Sequence, residues 1–92
     1  MLFAVQTTIV PGETLREKFD QLARWGYDGV EVSGADLLER PDELRRVMAD
    51  TGLRVTSACG GYHGWLVDRN PRARALAIAE IQRILAVGAQ AD

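Results

Sequence analysis

The chain predicts an α/β fold built from parallel strands, each followed by a helix. Three observations carry this. Apolar residues change from strand period to helix period three times along the sequence. Three glycines, Gly26, Gly52 and Gly88, recur at the same place, after a helical stripe and before the next strand. The strands are separated by helical segments rather than by hairpin turns, which implies parallel pairing through right-handed crossovers.

In order, Leu2 to Val10 alternates Phe3, Val5, Thr7 and Ile9 against Ala4, Gln6, Thr8 and Val10, a strand pattern expected to be covered on both faces. Pro11-Gly12 ends it. Thr14 or Glu13 opens a helix whose apolar face is Leu15, Phe19, Leu22 and Ala23. Gly26 suits the left-handed residue that closes a helix. The second strand is read over Gly29 to Ser33, with Val30 and Val32 on one face and Glu31 and Ser33 on the other.

Gly34 to Arg40 reads as a loop, and Pro41 as the first residue of the next helix. Asp42 and Glu43 lie in its first turn, where negative charge suits the helix dipole, and Leu44, Val47 and Met48 form its buried stripe. Gly52 stops it. The third strand spans Leu53 to Ala58, with Val55 and Ser57 opposed to Arg54 and Thr56. A connection from Cys59 to Asn70 follows, longer than the roughly 2–6 residues usual in α/β units, and so a candidate for function. Asn70-Pro71 is a cap and first-turn proline. The last helix carries Ala73, Leu76, Ala77, Ile81, Ile84 and Leu85 and is expected to end at Gly88, with Ala89 to Asp92 approaching a fourth strand.

Ninety-two residues make one domain at most, or a piece of one, and 47% hydrophobic with 26% charged is a globular composition. A net charge of −2 offers no excess of positive charge, which argues against a nucleic-acid or membrane-surface binder. Cys59 is alone, so no internal disulfide can form and a reducing compartment is expected. Met1 to Thr8 has no basic region before its apolar run and does not read as a signal peptide. The expected location is cytoplasmic.

Several pieces resemble a known family. Val5-Gln6-Thr7 on the first strand, Gly26-Tyr27-Asp28-Gly29-Val30-Glu31 into the second, Thr51-Gly52-Leu53-Arg54-Val55 into the third, and Ala86-Val87-Gly88-Ala89 at the last helix resemble the xylose-isomerase-like TIM-barrel family of sugar phosphate isomerases and epimerases. The resemblance implies three consecutive βα units of a (β/α)8 TIM barrel, so that 1–92 is a single partial domain, the N-terminal portion of such a barrel. A complete barrel typically takes ~200 residues or more. The implied activity is a metal-dependent isomerase or epimerase acting on a sugar or sugar phosphate. The divalent metal (Mn, Co, Mg or Zn) is expected for the complete fold, with its Glu, Asp and His ligands on later strands, so the chain alone is expected to be inactive. A dehydratase or endonuclease branch of the same superfold is an alternative. So is a self-assembling βα unit without catalysis, a homo-oligomer that covers the open sheet edges.

Within that frame Glu31 would lie near the C-terminal end of its strand, on the face where barrel sites are built. It is the candidate catalytic residue, either a substrate hydrogen-bond acceptor or a carboxylate tuned for proton transfer. The alternative is an acid satisfied by Arg54 or by backbone. Gln6 shares its inward parity and is a candidate for substrate binding. His63, the only histidine, is a candidate substrate contact; a metal role would need further ligands, and an ordinary loop histidine is the plain alternative. Trp65 and Tyr62 could stack on a sugar ring or fold back onto Leu66 and Val67. Gly60-Gly61-Tyr62-His63-Gly64 does not run straight into a helix, as a phosphate cradle must, and reads as a mobile glycine loop. Cys59 is expected to be a small buried residue and Trp25 plain packing. Arg69, Arg72 and Arg74 read as a solvated basic face.

Overall fold

The three strands lie side by side and parallel in the order β1-β2-β3, with β1 at Ala4–Gln6, β2 at Gly29–Ser33 and β3 at Arg54–Cys59. The computed structural model describes residues 1–91. Helix α1 (Leu15–Trp25) joins the first two strands, and α2 (Gly34–Glu39) with α3 (Pro41–Thr51) joins the second to the third. Helix α4 (Pro71–Gln90) follows the long loop after β3.

Local chemistry accounts for these boundaries. The Thr14 hydroxyl accepts the Glu17 N–H at 3.1 Å and caps α1. Gly26 and Gly52 adopt φ of 79° and 75°, the left-handed closure expected of them. Asp28 stitches the first two strands together: its carboxylate accepts the Phe3 N–H at 2.8 Å, and its own N–H donates to Phe3 O at 2.9 Å. Pro41 and Asn70 take the expected places at the starts of α3 and α4, the Asn70 side chain accepting from the Arg72 N–H.

One face of the sheet carries the core. Val30 and Val32 are fully covered, packed with Leu15, Phe19 and Leu22 of α1, Leu37 of α2, and Leu44 and Val47 of α3. The opposite face holds Gln6, Glu31 and Ser57. The radius of gyration is 14.2 Å, against about 12 Å for a closed domain of this length, as an open sheet with a long last helix requires. Among the described residues no helix is long and apolar enough to cross a membrane.

The elements depart from expectation in five places. β1 is three residues long, and Thr7–Ile9 winds into a 3-10 turn that buries Thr7. It is covered on one face only, by the partly buried Val5, because Ala4 and Gln6 have no layer above them. Gly34–Glu39, expected as a loop, is a helix: the Ser33 hydroxyl accepts the Ala35 N–H at 3.1 Å, and Leu37 plugs the core. Gly88 does not end α4; the good helix formers Ala86 and Ala89 around it carry the helix on to Gln90. Ala89 is therefore helical, and Asp92 lies outside the described residues. Ala23 and Trp25 are exposed, the α1 face being completed by Leu15, Phe19 and Leu22.

A β-bulge decides which side chains meet. Val30 lies opposite Val55, but Glu31 lies opposite Ser57, leaving Thr56 as the extra residue. Thr56 turns its hydroxyl to Val30 O at 3.2 Å. Without the bulge, Glu31 would face Thr56.

Candidate functional site

At the C-terminal ends of the strands, Gln6, Thr7, Thr8, Glu31, Val32, Ser33 and Cys59 line a hollow of about 180 Å³. Each strand contributes to it. Gln6 comes from the last position of β1, Glu31 and Ser33 from the same face of β2, and Cys59 from the end of β3, directly opposite Ser33.

Among the described residues Glu31 is the only carboxylate in this lining, partly buried and held from both sides. The Gln6 amide donates to Oε1. The Ser57 hydroxyl donates to Oε2 at 2.6 Å. Both of these partners are side chains. The Ser57 bond first, and the Gln6 bond second, hold the carboxyl below its usual value of 4.5, with partial burial opposing. Each oxygen keeps a second lone pair, so the group can still accept from a ligand. A carboxylate stabilised in its charged form is a good hydrogen-bond acceptor and a weakened base.

Because the folded value is depressed, the stabilisation Glu31 contributes is present above the unfolded carboxylate value and is lost as pH falls through the folded one. Removing the hydroxyl with Ser57→Ala is expected to raise the Glu31 titration midpoint back toward 4.5. Side-chain carboxyl NMR titration reads this directly, and an unchanged midpoint would contradict it.

The remaining candidates sit elsewhere. Cys59 is exposed on the wall of the hollow rather than buried. His63 and Trp65 are not among its lining residues. His63 is bound to α4: Glu80 accepts its backbone N–H at 2.5 Å and lies 3.0 Å from its Nδ1. Tyr62 packs against the core. Trp65 is 69% exposed, and Leu66 and Val67 are exposed with it, so the loop does not fold back onto its own apolar residues. Arg74 is not merely solvated; its guanidinium donates to Asp68 O at 2.6 Å and to Arg69 O at 3.2 Å. Among the described residues no three His, Cys, Asp or Glu side chains gather where they could hold a metal ion. The residues present do not fit the divalent ion expected of a complete barrel.

Two of the three glycines of the β3–α4 loop, residues 60–70, are there for close approach. Gly61 (φ 75°) lies against Ser33 Oγ and the Gly34 and Ala35 nitrogens, and Gly64 (φ 80°) against Ala73 O and Ala77 N of α4. A Cβ at either would collide with backbone. The loop is a packed strap rather than a mobile one. Gly64→Ala is expected to cost about 1–3 kcal/mol, read as a lowered urea midpoint; an unchanged midpoint would contradict the packing.

Comparison with known proteins agrees with the parallel βα fold. A family model described as Xylose isomerase-like TIM barrel matches residues 19–92. The chain belongs to that family. It is 40% identical over 73 residues to the 3-dehydro-D-guloside 4-epimerase of Escherichia coli (strain K12), a match covering 79% of this chain and 28% of that enzyme. A 3-dehydroshikimate dehydratase of Pseudomonas aeruginosa is 41% identical over 51 residues, covering 52% of this chain and 8% of that protein. Among solved structures, the apo crystal structure of an E. coli 3-keto-D-glucoside 4-epimerase superposes with a TM-score of 0.84 at 34% identity, over 95% of this chain and 34% of that one. The chain thus spans about a third or less of the relatives it matches, and its three parallel strands with their helices are a fragment of their barrel fold.

Proposed function

We propose that this chain is the substrate-lining N-terminal portion of a sugar isomerase or epimerase, and that its hollow takes the hydroxyl groups of an unphosphorylated sugar. The observation that supports this best is Glu31: an ionised carboxylate with both oxygens fixed, in a lining of Gln6, Thr7, Thr8, Ser33 and Cys59 that contains no cation. Such a surface accepts hydroxyl hydrogens and repels a phosphate dianion. One relative points the same way, being named for a glycoside with no phosphate in its name, 3-dehydro-D-guloside. Gln6 and Ser57 orient the carboxylate, and Glu31 holds a sugar hydroxyl in place. The bonds that fix it favour its ionised, hydrogen-bond-accepting form, which suits holding a hydroxyl.

Calorimetric titration with a neutral 3-keto-glycoside and with the corresponding sugar phosphate tests this. The neutral ligand is expected to bind more tightly; equal binding, or preference for the phosphate, would contradict the reading. Because no metal cluster is assembled among the described residues, turnover by the 92-residue chain is expected to stay at background with or without added Mn²⁺ or Co²⁺.

A second reading, association through the sheet edges, is favoured by one feature. Beside β3 an apolar cleft of about 440 Å³ opens between the strand and α4, lined by Leu37, Val55, Ile81, Ile84 and Leu85 among others. Among the described residues β3 has a strand neighbour on one side only, and Leu85 is 67% exposed. Such an edge recruits further strands. Sedimentation is expected to show concentration-dependent association that Leu85→Asp weakens; a monomer at all concentrations would contradict it.

A further inference from the structure

We propose that Glu80 is a positioning residue: from α4 it latches the β3–α4 loop through His63, and thereby fixes the loop, with Trp65 at its tip, beside the Glu31 hollow. An eleven-residue connection rich in glycine is expected to move freely. Here it is tied to a single face of α4. Arg74 holds the carbonyls of Asp68 and Arg69. Gly64 lies on the backbone at Ala73 and Ala77. Glu80, two turns beyond Ala73 and on the same face, holds His63 by its backbone N–H and its ring nitrogen together.

The Glu80 side chain is 15% exposed, whereas the His63 ring is 79% exposed. A carboxylate covered to that degree needs partners, and His63 supplies two. The His63 backbone N–H, ahead of its ring, also holds the Glu80 carboxyl below its usual value, so the latch is charged at neutral pH. His63 contributes mainly as the held end of this pair. The loop leaves β3 at Cys59 and crosses Ser33 at Gly61, and both Cys59 and Ser33 are walls of the hollow. What the latch fixes is therefore the rim of the site. Trp65, one residue past Gly64, has no core to fill and leaves its ring exposed. Only the assignment of that ring to a sugar face rests on the proposed function.

The test needs no sugar. With Trp25→Phe as background, Trp65 is the sole tryptophan, and its fluorescence anisotropy reports the loop tip; trypsin cleavage after Arg69 reports its opening. Glu80→Ala is expected to lower the Trp65 anisotropy and to speed cleavage after Arg69 by about tenfold or more. Glu80→Gln, which keeps an oxygen for the His63 N–H, should recover part of both. In the converse background, Trp65→Phe, the Trp25 anisotropy should not respond to Glu80→Ala, because α1 does not depend on the latch. Unchanged Trp65 anisotropy and cleavage in folded Glu80→Ala would overturn the proposal. Should Glu80→Ala disturb Trp25 as well, His63→Ala decides: it removes the ring bond alone, intermediate cleavage supports the latch, and wild-type cleavage overturns it. A chain that binds no sugar would refute the proposed function and leave these outcomes as they stand.

Discussion

Phe19→Ala is expected to lower the free energy of unfolding by about 3–5 kcal/mol, among the largest effects of a single truncation in this chain. Phe19 is completely covered, at the centre of the α1 face, with Leu15 and Leu22 on its own helix and Val30 and Val32 of β2 in the same core. Removing a ring there forfeits its transfer energy and leaves a cavity that backbone on both sides cannot close. A domain of this length is stabilised by roughly 5–14 kcal/mol in all, so the variant should be partly unfolded under mild conditions. The urea midpoint followed by circular dichroism measures this; a shift equivalent to less than about 1 kcal/mol would mean that α1 does not dock on the sheet as described.

Glu31→Ala should leave the fold intact and weaken binding of a neutral 3-keto-glycoside by about 10–100-fold, the loss of a hydrogen bond to a charged acceptor. Glu31→Gln separates charge from shape. One carboxylate oxygen becomes an NH2, from which the Ser57 hydroxyl can accept after rotating its own hydrogen, so both partners can stay. The Gln variant loses the charge and one acceptor only, and should bind between wild type and Ala. Calorimetry on both variants reads the effect. Wild-type affinity in Glu31→Ala would remove Glu31 from the site.

Much of the fold was legible because glycine and proline punctuate it. Gly26, Gly52 and Pro41 mark helix ends by backbone chemistry that needs no tertiary context, and Val30 and Val32 announce the covered face of β2 by period alone. The misread elements are those where tertiary contacts override local signals. Ser33 ends a strand and caps a helix at once, so Gly34–Glu39 reads as a loop in sequence, and it is the burial of Leu37 in the core that makes it a helix. Gly88 resembles Gly26 and Gly52 in sequence, yet helical neighbours on both sides carry α4 through it. The site divides in the same way. Gln6 and Glu31 share a face by strand parity, and the structure joins them. Ser57 was hidden, because only the bulge at Thr56 brings it opposite Glu31. Glu80 was hidden too, lying seventeen residues from His63 on another element. A carboxylate on the loop-facing side of α4, among alanines and isoleucines, was the one available sign.

The central claim is that Glu31, steadied by Gln6 and Ser57, faces a hollow that receives a sugar. Residue-resolved NMR during titration with a neutral 3-keto-glycoside tests it most directly. The account predicts saturable shifts concentrated at Gln6, Thr7, Glu31, Ser33 and Cys59, and lost together in Glu31→Ala. Shifts confined to the outer faces of the helices, or shifts at the hollow that survive Glu31→Ala unchanged, would contradict it.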